Sequence, residues 1–309
     1  MKIIFASSTT EPEAWIKQFQ QAMPGVQILD AHKHKETTGA ELAITWTPPL
    51  DLLTREPGIR ALFNLGAGVD ALLRLPGLHD GIDIYRLEDA GMAVQMAEYA
   101  VYAIVRASRS FDTYQQLQHQ AQWLPQPPIQ RSAWPVGVLG AGVMGSRVAQ
   151  VLHALDYPVA VWSRSPKEVP GVASFAGADA LPQFLARTRV LINTLPLTPE
   201  THGLLNTHTL SQLLPGAYLV NMGRGQHLVE DDLIPLLDRG VLSGATLDVF
   251  CQEPLPADHP FWQDTRITIT PHVAAASLRQ ETVEQIAHKI QCYLQGKAVT
   301  GRVEGRTGY

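Results

Sequence analysis

Arg224, Glu253 and His272 are far apart in the chain, yet each follows a short run of strand-forming residues that lies downstream of a glycine-rich turn. An arginine, a carboxylate and an imidazole are the groups needed to reduce a 2-keto acid. A guanidinium grips the substrate carboxylate through two parallel charge-assisted hydrogen bonds. An imidazolium protonates the carbonyl oxygen as hydride arrives, and a carboxylate beside the imidazole favours its protonated form. Taken singly, each residue has an ordinary structural explanation: a surface arginine, a loop acid before proline, a hydrogen-bonded histidine. The glycines on both sides of Arg224 speak for close backbone approach, and the common placement of all three after successive strands favours a shared site. Reduction is then expected to weaken as pH rises through the titration of His272.

Such a site needs a sheet to carry it. The glycine turn is Gly140-Ala141-Gly142-Val143-Met144-Gly145, a G-x-G-x-x-G match that follows the strand-like Val136–Leu139 and opens a helical stretch, Ser146 to Leu155. In that setting Gly140 permits the tight turn and Gly142 admits a pyrophosphate to the backbone. Gly145 lets helix and strand pack closely, and the helix N-terminus offers free N–H groups to the anion. Further strands are expected near 159–162, 190–195, 217–221, 245–250 and 267–270, which makes six and completes a dinucleotide-binding sheet.

Cofactor choice is read at the end of the strand after the turn. An acid there would bind both ribose hydroxyls of NAD, but the residues are Ser163, Arg164, Ser165 and Lys167. A guanidinium, two hydroxyls and an ammonium suit a 2′-phosphate, so NADPH is expected, with NADH a weaker partner.

The first hundred residues repeat the alternation. Strands are expected at 2–6, 26–29, 42–46, 61–65 and 82–87, separated by helix-like stretches, which implies a second doubly wound parallel sheet. Asn64-Leu65-Gly66-Ala67-Gly68 is again a strand and a glycine turn, whose N–H groups could hold a substrate carboxylate. A second dinucleotide turn is set aside because the third glycine is missing. Trp46, at a strand end, either walls the substrate pocket or fills the core.

The segment from Met92 to about Gln120 lacks proline and interior glycine and reads as one helix. The stretch from Trp123 to Trp134 is proline-rich and reads as a loop. A helix at 278–294 is expected to return to the first domain. The domains are then 1–95 with 277–309 for substrate, and 96–276 for cofactor. Gly and Arg near the C-terminus imply a short irregular tail.

With 309 residues, 45% of them hydrophobic, the chain has the length for two cores, and a net charge of -5 argues against a nucleic-acid partner. No run is long enough to span a bilayer, and the N-terminus fits no secretory signal. The cysteine count of 2 is too low for a disulfide framework and suits a reducing cytoplasm, with Cys251 expected as a buried packing thiol. His32 and His34 lack further ligands at metal spacing, so no metal is expected.

The ordered motifs GAGVD (66–70), MAEYAV (96–101), GVLGAGVMG (137–145), TLPLTPET (194–201), VNMGRG (220–225), LDVFCQEPLP (247–256) and TPHVA (270–274) resemble the D-isomer-specific 2-hydroxyacid dehydrogenase family. The likeness is greatest to its bacterial glyoxylate/hydroxypyruvate reductase branch. It implies catalysis by Arg224, Glu253 and His272, and substrate contact at Trp46, Leu65, Gly66, Ala67 and Gly68. It further implies cofactor contacts at Leu195, Pro196, Thr201 and Met222, with Asp248 holding the nicotinamide carboxamide. It also implies flavodoxin-like and Rossmann-like domains with the active site in the cleft between them, and a homodimer. The expected reaction is NADPH-dependent reduction of glyoxylate to glycolate and of hydroxypyruvate to D-glycerate. The alternatives are a dehydrogenase for a bulkier D-2-hydroxy acid and a non-enzymatic, dinucleotide-sensing corepressor, since one branch of the family acts that way.

Overall fold

The apolar runs of the sequence assemble into two all-parallel sheets in this computed structural model, which describes residues 1–8 and 11–303. The expected tail, from residue 304, lies outside the described residues. The chain separates into two compact units: Met1–Gly91 with the described residues from Ser277 onward, and Met92–Ala276.

In the first unit, β1 (Lys2–Ser7), β2 (Gln27–Asp30), β3 (Leu42–Trp46), β4 (Ala61–Asn64) and β5 (Asp83–Tyr85) lie in the order β2-β1-β3-β4-β5. This is the flavodoxin-like winding. Ile3, Ile4, Phe5, Leu42, Ala43, Ile44, Leu62 and Phe63 have no exposed surface, as strands covered on both faces require. Helix Pro12–Ala22 starts on a proline, whose fixed backbone suits a first turn, and buries Phe19. Helix Arg279–Leu294 packs against it, with Arg279 over the Trp15 ring and paired with Glu11.

The second unit holds seven strands where six were expected. They are β6 (Val136–Leu139), β7 (Val159–Ser163), β8 (Ala173–Ala176), β9 (Val190–Asn193), β10 (Ala217–Asn221), β11 (Leu242–Leu247) and β12 (Ile267–Ile269), in the order β12-β11-β10-β9-β6-β7-β8. The additional strand, β8, is a four-residue edge strand, Ala-Ser-Phe-Ala, none of it buried, so it lacks the buried apolar run that marks the others. The winding reverses between β6 and β9, which sets a crevice at their carboxyl ends.

The single helix expected from Met92 to Gln120 is two: Met92–Ser108 and Phe111–His119. Ser110 breaks it in the left-handed region at φ 55°. Arg106 reaches across the break to pair with Asp112, in the first turn of the second helix, where a carboxylate also favours the helix dipole. The first helix buries Ala97, Ala100 and Ala103, side chains small enough for close packing against helix Val143–Ala154. No described helix is long and apolar enough to cross a membrane.

Candidate active site

Strand register explains why residues so distant in sequence meet. Leu139, Asn193, Asn221, Leu247 and Ile269 pair in one row across β6, β9, β10, β11 and β12. The residues that leave the sheet next therefore emerge along one edge, at its carboxyl end.

From the β12 end, His272 Nδ1 lies 2.8 Å from Glu253 Oε2. The other carboxylate oxygen accepts the Phe250 N–H at 3.0 Å, so the acid is oriented before the imidazole binds it. Nδ1 must then carry a proton toward the carboxylate, which leaves Nε2 as the atom that can exchange one with a substrate. The pair is reached from outside, with 47% and 36% of the two side chains exposed.

His272 itself has φ 54°, a conformation that costs a residue with a side chain roughly 1–2 kcal/mol. Asp248 holds it there. The backbone carbonyl of Asp248 accepts the His272 N–H, and its buried carboxylate accepts the N–H groups of Val273 and Ala274. Thr270 Oγ1 donates to the same carboxylate at 2.6 Å, so Tyr99 must donate to Thr270. Burial raises the Tyr99 phenol above its usual range, which keeps that proton in place. A carboxylate expected at a cofactor is thus also the anchor of the histidine turn.

Arg224 follows β10, and both its backbone groups are held: its N–H by His227 Nδ1 and its carbonyl by Asn221 Nδ2. Its guanidinium donates from Nη1 to the Gly223 carbonyl at 2.7 Å. Gly225 lies flush against the backbone of Phe250, where a Cβ would meet the carbonyl carbon at 1.8 Å. Any side chain there would push the arginine loop off the segment that leads to Glu253.

At the β6 end the three glycines differ in role. Gly140 has φ 103°, which only glycine adopts readily, and a Cβ on Gly145 would lie 1.9 Å from the Gly140 carbonyl oxygen. Nothing lies within 4 Å of the corresponding position on Gly142. The helix starts at Val143, ahead of the expected Ser146, and its first i to i−4 bond runs from Ser146 N to Gly142 O. The preceding first-turn N–H groups, beside an exposed Gly142 and Val143, therefore fit a pyrophosphate. Ala141 is buried beneath them and Met144 half-buried.

Arg164, Ser165 and Lys167 are exposed just past β7, and Ser163 Oγ donates to the Ser165 carbonyl. After β9, Leu195 is buried and Pro196 exposed. Thr201 Oγ1 donates to the Pro196 carbonyl and accepts the Thr198 N–H, which shapes the loop that presents both. Met222 is buried, in the core under the edge.

In the first unit, the turn after β4 is organised by Asn64, whose Nδ2 donates to the carbonyls of Gly66 and Gly68 at 2.9 and 2.7 Å. The N–H of Ala67 shares a peptide plane with the Gly66 carbonyl, so it points the opposite way, outward. A Cβ on Gly66 would meet the Trp46 ring at 2.0 Å. Trp46 is 42% exposed and covers this turn, which decides against a core tryptophan.

Cys251 is exposed, a correction to the buried thiol expected from its place beside β11. It leaves the sheet with the loop that carries Glu253. Desolvation and the Glu230 carboxylate push the thiol up to about 11, which leaves it a thiol at neutral pH. Among the described residues no group of three or more His, Cys, Asp or Glu side chains is placed to hold a metal ion.

A family model for the D-isomer specific 2-hydroxyacid dehydrogenase NAD binding domain matches residues 101–274. The chain belongs to the D-isomer specific 2-hydroxyacid dehydrogenase family. Among curated relatives, glyoxylate/hydroxypyruvate reductase A of Serratia proteamaculans is 46% identical over the whole of both chains. The same enzyme of Citrobacter koseri is 44% identical, also over the whole of both. Among solved structures, a dehydrogenase of this family from Xanthobacter autotrophicus, in complex with NADPH and MES, matches with TM-score 0.94 and 35% identity. That match covers 100% of this chain and 99% of the other. An NADPH-dependent glyoxylate/hydroxypyruvate reductase from Sinorhizobium meliloti, with NADP and sulfate, gives 0.93 and 33% over the same shares.

Residues that sequence reasoning passed over in this dehydrogenase are the supports: Asn64 under the first-unit turn, Asn193, Asn221 and His227 under Arg224, and Tyr99 behind Asp248. Their signal was available in part. Asparagine is unfavourable in a strand, so Asn193 and Asn221 at the ends of two apolar runs called for a reason.

Proposed function

We propose that this chain reduces small 2-keto acids with NADPH, glyoxylate to glycolate and hydroxypyruvate to D-glycerate. The observation that carries the reading is the His272 to Glu253 contact at 2.8 Å, on the sheet edge that also bears Arg224 and the glycine turn. The relatives named glyoxylate/hydroxypyruvate reductase A, and neighbours solved with NADPH or NADP, support it.

The turn at Gly140–Gly145 and the basic loop at Ser163–Lys167 are the residues that would hold the nucleotide, which supplies the hydride when bound. Arg224 fixes the substrate carboxylate and polarises the adjoining carbonyl. In the first unit, the N–H groups of the Gly66–Gly68 turn are suited to an anion. Protonated His272 donates from Nε2 to the carbonyl oxygen while Glu253 stabilises the imidazolium. Asp248 keeps the histidine turn in its left-handed conformation and is the residue that the family likeness offers to a carboxamide.

Oxidation of NADPH on adding glyoxylate, followed at 1 mM glyoxylate and below as an order-of-magnitude working range, tests the activity. Turnover with small keto acids is expected. Preference for phenylpyruvate in the same assay would point to a bulky-substrate enzyme, and no turnover with any 2-keto acid to a dinucleotide sensor.

Arg164→Asp is expected to raise the KM for NADPH about 100-fold, since it removes a charge-assisted bond worth roughly 1.5–3 kcal/mol and adds repulsion. The KM for NADH should change little. Equal changes for both cofactors would show that Arg164 does not read the 2′-phosphate.

We further infer a cytoplasmic homodimer. Trp123 is 96% exposed, and Leu124, Phe111, Tyr114 and Tyr102 are exposed in the same part of the chain. Large aromatics left uncovered in one region mark a protein interface. Trp123→Ser is expected to weaken self-association by about 2 kcal/mol or more, roughly 30-fold, read by sedimentation across a dilution series. A monomeric wild-type protein would dispose of the dimer.

A further inference from the structure

The backbone of Arg224 rests on a polar cluster with no exposed surface, formed by Asn193, Asn221 and His227. Asn193 Nδ2 donates to Asn221 Oδ1 and to His227 Nδ1, both at 2.9 Å, and its Oδ1 accepts the Leu195 N–H at 3.2 Å. Asn221 Nδ2 donates to the Arg224 carbonyl at 3.1 Å, and its Oδ1 also accepts the Gly223 N–H. His227 Nδ1 accepts the Arg224 N–H at 3.0 Å, while Nε2 lies 3.2 Å from the Pro196 carbonyl oxygen.

Two donors converge on Nδ1 and a carbonyl faces Nε2. The ring is therefore the neutral tautomer with its proton on Nε2, because a proton on Nδ1 would point at two N–H groups. Gly223 belongs to the same arrangement: a Cβ there would meet Asn193 Nδ2 at 2.8 Å and His227 Nδ1 at 3.0 Å. The two glycines that flank Arg224 thus seat it on different neighbours, Gly223 on this cluster and Gly225 on Phe250.

We infer that His227 is a positioning residue with two separable tasks. Its Nδ1 fixes the backbone from which the Arg224 guanidinium projects, and its Nε2–H fixes the Pro196 loop after β9. A buried space of this size is filled at lower cost by an apolar side chain, since a buried polar cluster must satisfy every member. A histidine supplies what an apolar residue lacks: an acceptor aimed at one ligand-facing segment and a donor aimed at another. The inference rests on the proposed roles of Arg224 as carboxylate clamp and of the Pro196 segment as a cofactor contact.

The two tasks can be removed one at a time. A glutamine amide reaches the place of Nε2 and an asparagine amide that of Nδ1, so His227→Gln keeps the Pro196 bond and His227→Asn keeps the bond to the Arg224 N–H. With His227→Gln, the KM for glyoxylate is expected to rise about tenfold, the effect of one lost hydrogen bond. Its NADPH Kd, from fluorescence titration without substrate, stays within about twofold of wild type on the same scale. With His227→Asn, the NADPH Kd rises about fivefold and the glyoxylate KM at saturating NADPH holds.

Both variants shifting both constants alike, or changing only the melting temperature, would overturn the inference. So would failure of both to fold, because the histidine would then support the whole unit rather than two loops. Arg224→Ala is measured alongside. If it leaves the glyoxylate KM unchanged, the clamp itself falls and this inference with it. If it raises that KM while His227→Gln does not, the inference alone falls.

Discussion

Replacing His272 with alanine is expected to lower kcat for glyoxylate reduction by about 10²- to 10⁴-fold, the range a well-placed general acid contributes. NADPH binding should be unaffected, because the imidazole acts on the substrate oxygen. Glu253→Gln is expected to keep part of the rate, because an amide can still orient the ring across the 2.8 Å contact but carries no charge to set against the imidazolium that donates the proton. The geometry adds a control. Asp248 and Thr270 hold the histidine turn without touching the ring, so Thr270→Val should lower kcat by a smaller factor and leave the pH profile in place. A pH-independent chemical step in the wild type, measured by single-turnover NADPH oxidation, would remove His272 as the acid.

The legible part of this chain was the part in which backbone and chemistry make the same demand. Three glycines in G-x-G-x-x-G between strand and helix could be read because two answer a steric requirement, visible as a positive φ at Gly140 and a 1.9 Å approach at Gly145, and the third leaves open space above the turn. The common placement of Arg224 and His272 was legible from position, since parallel strands deliver their next residues to one edge.

The break at Ser110 was harder. No proline or glycine marks it, and the signal is a serine followed by Asp112, a helix start inside a helical pattern. Strand β8 was missed because an exposed edge strand carries no apolar run. The polar cluster under Arg224 was legible only in part. Asn193 and Asn221 stand out at the ends of apolar runs, but strand register brings them together and His227 joins them from the turn after β10, and a histidine there looks the same whether buried and satisfied or facing water.

Removing the guanidinium of Arg224 is expected to have the largest effect on substrate recognition. A carboxylate held by two parallel bonds from a guanidinium loses about 2–5 kcal/mol when the arginine is truncated, roughly 30- to 5,000-fold in kcat/KM for Arg224→Ala. Both constants should move. The carboxylate contact exists in the ground state and raises KM when lost, while the positive charge beside the carbonyl counts most as negative charge develops on its oxygen and so lowers kcat. Arg224→Lys separates the contributions. It restores the charge but, as a compact ammonium on a flexible stem, cannot make two coplanar bonds. Part of kcat should return while KM stays high. The carbonyl and N–H of residue 224 are held through its backbone, by Asn221 and His227, so neither substitution disturbs the loop and NADPH affinity serves as the unchanged reference. An unchanged KM for glyoxylate in Arg224→Ala would mean that the substrate carboxylate is held elsewhere.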